Sequence, residues 1–204
     1  MAEAIDILRE QGATIVDPAD IPSVVDPDPA NNVLSYGMKR DFNAWLATLG
    51  DSAPVKTLTE LREWNLAHDQ AGALKYGQAR LDGADELDLE EARAEYEADR
   101  ARDLRLNGEH GLDEVMTALE LDALLFPASS GAGILARPGY PTVIVPFAFA
   151  QSEPDPPMPA GVELKPRPFG VSFAGRACSE PRLIELAYAF EQATMRRVPP
   201  PGMP

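Results

Sequence analysis

Phe169-Gly-Val-Ser-Phe-Ala-Gly-Arg-Ala-Cys-Ser-Glu-Pro-Arg-Leu-Ile-Glu-Leu-Ala-Tyr-Ala-Phe-Glu-Gln-Ala-Thr194 is the stretch on which the fold turns. Phe169 to Phe173 set apolar residues around small ones and read as a buried strand. Ser179 stands where a helix N-cap belongs, with Pro181 in the first turn. From there Leu183, Leu186, Ala187 and Phe190 recur at spacings of three and four and form one apolar stripe. A strand leading straight into an amphipathic helix is a unit of α/β architecture.

Working backwards, Gln151 to Pro168 is a proline-rich surface excursion. Gly139-Tyr-Pro-Thr-Val-Ile-Val-Pro146 contains a second buried strand, and Ser129-Ser-Gly-Ala-Gly133 reads as a flexible loop before it. Asp122-Ala-Leu-Leu-Phe126, ended by Pro127, reads as another strand, and Leu112 to Leu119 as a short helix. Leu89 to Asn107 predicts a longer charged helix, Glu-rich early and Arg-rich late, which suits the macrodipole. Thr57-Leu-Thr-Glu60 is a capping box opening a helix with Leu58, Leu61 and Trp64 inward. Lys39 to Leu49 is an amphipathic helix with Phe42, Trp45, Leu46 and Leu49 on one face, and residues 18–35 are a Pro/Asp/Asn loop. Residues 2–11 predict a helix stopped by Gly12, and Ala13-Thr-Ile-Val16 a short buried strand ended by Asp17-Pro18. The expectation is an α/β fold, a mixed sheet flanked by helices, as one domain over residues 1–194. Residues 195–204 form a basic, proline-rich tail expected to be disordered.

Hydrophobic residues make up 45% of the chain and charged residues 25%, which are globular values. The 18 basic residues against 33 acidic ones leave a net charge of −15, which repels phosphate backbones and argues against nucleic acid as a partner. Cys178 is the single cysteine, so no internal disulfide framework is available, which fits a reducing cytoplasm. The first ten residues are mixed and acidic, without the basic and apolar regions of a signal peptide. Thr142 to Ala150 is the longest apolar run, interrupted by Pro146 and too short to span a bilayer, so the expectation is a soluble, cytoplasmic protein off the membrane.

Catalytic inventory yields little. A serine triad needs a histidine base, and only His68, near a predicted helix end, and His110, in a polar turn, are available. Neither adjoins a nucleophile signature. Cys178 precedes a helix N-terminus, where a thiolate is favoured, but no base pairs with it and a small buried cysteine is the plainer reading. One cysteine and two distant histidines leave no metal site, and no glycine-rich turn has dinucleotide spacing, so no cofactor is expected. Asp85-Glu86 and Glu90-Glu91 read as surface charge. Ser129-Ser-Gly-Ala-Gly133 has two readings: hydroxyls beside exposed amides, as an oxyanion site requires, or a glycine-hinged connection.

The block from Phe169 to Thr194 closely resembles the end of amidase-signature-family enzymes. Gly139 to Pro146 looks like that family's strand after the substrate loop, Leu121 to Pro127 like the strand before it. Ala73-Leu-Lys-Tyr-Gly-Gln78 resembles its helical lid region, and Ile5 to Pro22 its helix–strand step. The resemblance covers nearly the whole chain and implies the C-terminal portion of the amidase-signature fold. The family hydrolyses carboxylic amides with a Ser–cis-Ser–Lys triad on two glycine/serine-rich stretches that precede this portion. Lys39, Lys56, Lys75 and Lys165 do not sit in that context. The resemblance therefore implies no catalytic residue here and an isolated chain that is inactive. It implies that Phe126, Ser129, Ser130 and Gly131 line a substrate pocket for a small amide. The alternatives are a non-catalytic binding module and one half of a split amidase, completed by a missing N-terminal half or by a homo-oligomer.

Overall fold

In the strand Arg167–Ala174, Gly170 to Ala174 are buried on both sides and form the centre of the sheet, while Arg167 and Pro168 are exposed. Val171 and Phe173 face one way, and Gly170, Ser172 and Ala174 the other; Gly170 is buried, and the other four are at most 5% exposed. The structure is a computed structural model and describes residues 1–22, 31–151, 161, 164–200 and 202. The expected proline-rich excursion at 151–168 lies largely outside the described residues, as does part of the 18–35 loop.

The described chain divides into two compact units, residues 1–28 with 103–204, and residues 29–102. In the first unit, β1 (Leu124–Pro127) and β2 (Thr142–Ala150) flank β3 (Arg167–Ala174), both antiparallel to it. Leu124 pairs with Ala174 and Phe126 with Ser172 on one side, Thr142 with Ala174 and Val145 with Val171 on the other. The β2 register shifts between Pro146 and Ala148. Proline has no amide hydrogen to give a ladder, so a bulge is where a strand tolerates one. Gly170 faces this point, because a Cβ there would lie 2.6 Å from the Ile144 side chain and 2.9 Å from the Val145 carbonyl.

The final helix, α8 (Glu180–Thr194), and α1 (Ala2–Glu10) pack on the same apolar cluster. Leu183, Ala187 and Phe190 of α8, Ala4 of α1, and Val145, Phe147, Val171 and Phe173 of the sheet form it. Phe190 lies 5.5 Å from the Phe147 ring centre and 5.6 Å from that of Phe173, tilted rather than stacked, as ring quadrupoles prefer. Gly12 ends α1 in a left-handed conformation, as expected. Ser179 holds the N-cap position before α8, as expected, but its hydroxyl donates to the Arg176 carbonyl rather than capping an amide. A second cluster joins Ile21, Leu112, Met116, Leu124, Leu135 and Ala174. Past α8, Arg196 reaches Glu3 at 2.6 Å and covers the Phe147 ring at 4.5 Å.

Three expectations need correction in this unit. Residues 13–16 form no strand, and Val16 is 39% exposed: an extended segment becomes a strand only with a partner, and none is present among the described residues. Gly108 and Gly111 do not break the helix. Arg93–Asp103, α5, is followed directly by a π-helical stretch, Leu104–Asp113, and then by α6 (Glu114–Ala118). Packing supplies the reason. Gly108 lies under Pro138 and Tyr140, where a Cβ would come within 3.2 Å of each, and a Cβ on Gly111 would sit 2.6 Å from the Leu106 carbonyl. His110 is therefore helical rather than in a turn. The segment after β1 is not a flexible loop either: a tight turn leads into a short helix, α7 (Ala132–Ala136).

The second unit is helical. It comprises α2 (Val33–Thr48), α3 (Leu58–Ala67), α4 (Ala79–Asp85) and most of α5. α2 begins six residues before the expected Lys39 and buries Tyr36 and Leu46, while Trp45 and Leu49 of the expected inner face are exposed. Thr57 caps α3 as expected, accepting from the Glu60 amide at 3.1 Å. Glu60 answers one residue further back, on the Lys56 amide at 2.6 Å. Leu58 is buried, whereas Trp64 is 48% exposed and stacks on His68. Asp85 is not surface charge. Its carboxylate accepts from Arg62 at 2.6 Å and Thr59 at 2.9 Å, with Lys39 at 3.7 Å, and is 6% exposed.

Candidate functional site

The turn after β1 begins where the β1–β3 ladder ends. Ala128 donates its amide to the Gly170 carbonyl at 2.8 Å, continuing the pairing by one bond. Its own backbone then enters the left-handed region at φ +49°, uncommon for a residue with a Cβ. That rotation takes the Ala128 carbonyl out of the ladder, and the buried Ser172 hydroxyl donates to it at 2.5 Å. The chain then closes through Ser130 N–H to the Pro127 carbonyl at 3.1 Å and Ala132 N–H to the Ser129 carbonyl at 3.0 Å.

Phe126, Ser129, Ser130 and Gly131 are brought together by this turn. Ser129 and Ser130 are exposed at its tip, and Gly131 is buried beneath it. The Phe126 ring lies flat on Gly131, so a Cβ there would fall 2.6 to 2.8 Å from three ring atoms. The turn thus presents two hydroxyls on a base fixed by a ring, a glycine and a strand. Beyond α7, Arg137 pairs with the buried Asp103 at 2.8 Å. The Tyr140 hydroxyl donates to Asp113 at 2.6 Å. Burial, and then that acceptor, push the Tyr140 phenol up to about 12.

The other candidate groups are elsewhere or engaged. His68 is the C-cap that follows α3, with Nδ1 2.7 Å from the Trp64 carbonyl. His110 lies 3.5 Å from Glu114 on the surface. Cys178 is exposed rather than buried, at φ +61°. Lys39 donates to the Asp85 and Leu87 carbonyls, Lys56 to that of Gly50, and Lys75 lies over the Tyr76 ring. No group of three or more His, Cys, Asp or Glu among the described residues could hold a metal ion. No helix among them is long and apolar enough to cross a membrane. A shallow depression lined by Thr117, Glu120, Leu121, Asp122, Arg176 and Ser179 holds two carboxylates, but the Ser179 hydroxyl donates to the Arg176 carbonyl instead of to either.

Ala128, Gly170 and Ser172 escape a motif search, since none belongs to a catalytic signature. The one signal is Ser172 itself: a hydroxyl on the inward face of an apolar strand needs an acceptor.

The described residues form a mixed α/β scaffold with a braced, serine-bearing turn, and no nucleophile and base are assembled among them. Comparison with known proteins shows what this scaffold is similar to. No family model matches the chain. A probable amidase of Arabidopsis thaliana is 30% identical over 202 residues, which is 96% of this chain and 36% of the relative. The crystal structure of the native peptide amidase from Stenotrophomonas maltophilia is 32% identical, with a TM-score of 0.78, over 98% of this chain and 40% of that one. A peptide amidase complexed with the competitive inhibitor chymostatin superposes with a TM-score of 0.77 at 30% identity, with the same coverage. An amidase family protein of Bacillus anthracis, 24% identical with a TM-score of 0.77, shows the shared fold. In sequence and in fold, this chain resembles a portion of an amidase, and it spans about two fifths of the length of these relatives.

Proposed function

We propose that the chain is the C-terminal portion of a carboxylic amide hydrolase, supplying scaffold and part of the substrate pocket. In this reading Phe126, Ser129, Ser130 and Gly131 face the amide, and the nucleophilic serine, relay serine and lysine come from a segment outside these residues. The observation that carries it is the coverage: almost the whole chain matches, against 36–40% of each amidase. The engagement of Lys39, Lys56 and Lys75 with carbonyls or a ring supports it. The chemistry requires a small amide as ligand, no cofactor and no metal. A reducing cytoplasm suits the exposed single thiol.

A split amidase, with the catalytic segment on a separate chain, is the second reading. Among the described residues β2 has no neighbour on its outer edge, and Ile144 and Phe149 are 52% and 53% exposed. The DNA preceding the codon for Met1 separates the cases. An in-frame glycine/serine-rich stretch with its lysine supports one polypeptide, and such a stretch on a neighbouring gene supports the split form. Its absence from the whole genome would overturn both and leave a non-catalytic binding module.

A further inference from the structure

We infer that Ser172 is a positioning residue for the pocket turn: its hydroxyl holds Ala128 left-handed and so sets where Ser129 and Ser130 present themselves to an amide. This rests on the proposed pocket. Phe126 and Ser172 are opposite each other in the β1–β3 register, so Ser172 projects to the face carrying Leu124, Phe126 and Ala174. A hydroxyl there is out of character, and the residue is only 5% exposed. A buried hydroxyl without an acceptor is costly, and an apolar residue of similar size would serve the packing equally well.

The acceptor is specific. In a regular antiparallel pair, Ala128 and Gly170 would exchange two hydrogen bonds. The Ala128 amide makes its bond to Gly170, but at φ +49° the carbonyl turns aside. Ser172 Oγ meets it 2.5 Å away. One strand thus grips Ala128 at both ends, through a backbone carbonyl and through a side chain two residues on. The left-handed residue is the last before the two serines, so a change in its torsions rotates both.

The experiment compares amide chemical shifts of residues 128–132 in the full chain and its variants, with and without N-acetylphenylalaninamide as probe. Ser172→Ala is expected to shift the Ser129, Ser130 and Gly131 amides, to lower the melting midpoint by the worth of one hydrogen bond, and to weaken probe binding roughly threefold to tenfold. Ala128→Gly accepts φ +49° without help. Adding Ser172→Ala to it should therefore move the three amides and the affinity far less than it does in the wild-type background. A merely structural serine would show equal effects in both backgrounds. Unchanged shifts in Ser172→Ala, or equal effects in both backgrounds, would overturn the inference. A wild-type chain whose residues 129–131 ignore the probe would overturn the pocket assignment itself, while the probe-free shifts still decide whether Ser172 sets the turn.

Discussion

Gly131→Ala and Gly133→Ala make a matched pair two residues apart, and the structure assigns them opposite signs. Both glycines have ordinary, negative φ, so alanine meets no backbone strain at either. Fewer unfolded conformations then favour each variant by about 0.4–1 kcal/mol, a term common to both. The difference is what the new methyl touches. At Gly133, inside α7, nothing lies within 4 Å, and alanine is also the better helix former. At Gly131 the methyl would sit 2.6 Å from Phe126 Cγ and 2.7 and 2.8 Å from the two Cδ atoms, roughly an ångström inside ordinary contact. The ring cannot simply swing away, because it packs on the Leu112, Leu124 and Leu135 cluster. Overpacking of this kind costs about 1–3 kcal/mol. Urea unfolding followed by circular dichroism measures it. With a slope of about 2 kcal/mol per molar, the two midpoints should separate by about 0.5–1.5 M, Gly133→Ala at or above the parent and Gly131→Ala below it. Phe126→Leu, by removing the ring, should recover most of the Gly131→Ala loss. Equal shifts for the two alanines, or no recovery, would refute the placement of Phe126 on the turn.

Asp85→Ala should lower the unfolding midpoint by about 1–3 kcal/mol of stability, because it leaves Arg62, Thr59 and Lys39 without their shared acceptor; scanning calorimetry checks this. Burial raises the Asp85 carboxyl, but Arg62, Thr59 and Lys39 outweigh it and hold it below its usual range. Its folded value lies below the unfolded one, so its contribution is present above about pH 4–5 and is lost as pH falls; the Asp85→Ala penalty should shrink over the same acid range. Ultraviolet titration of the five tyrosines should show one that ionises only near pH 12, namely Tyr140, and Asp113→Asn should bring it down. Because that folded value is raised, the associated stability is full below about pH 10 and is lost above it. Cys178→Gly should stabilise the chain by up to about 1 kcal/mol, since glycine adopts φ +61° freely and the exposed thiol packs on little; a fall in the midpoint would count against the left-handed backbone there.

Much of the first unit was legible in the residues. The stripe Leu183, Ala187 and Phe190 is buried as its spacing demands, and the strands around Phe126, Val145 and Val171 form where apolar runs stop at proline or glycine. The misreadings share a cause, namely dependence on neighbours distant in sequence. Ala13–Val16 has a strand's composition and finds no strand partner among the described residues. Gly108 and Gly111 look like helix breakers, yet they are the residues small enough to pass beneath Tyr140 and across the Leu106 carbonyl. Asp85 looks like one charge among many until Arg62, twenty-three positions away, is folded onto it. Ser129–Gly133 could be seen as special, but not the reason for its shape, which lies in the Ser172 hydroxyl on another strand.

Hydrolysis of a simple carboxamide by the purified 204-residue chain tests the central claim most directly. Ammonia release from N-acetylphenylalaninamide, followed over hours, is expected not to exceed the buffer control, and Ser129→Ala, Ser130→Ala and Cys178→Ala should behave as the parent does. Sustained turnover abolished by one of those substitutions would contradict the account, because a nucleophile and its base would then lie within this chain.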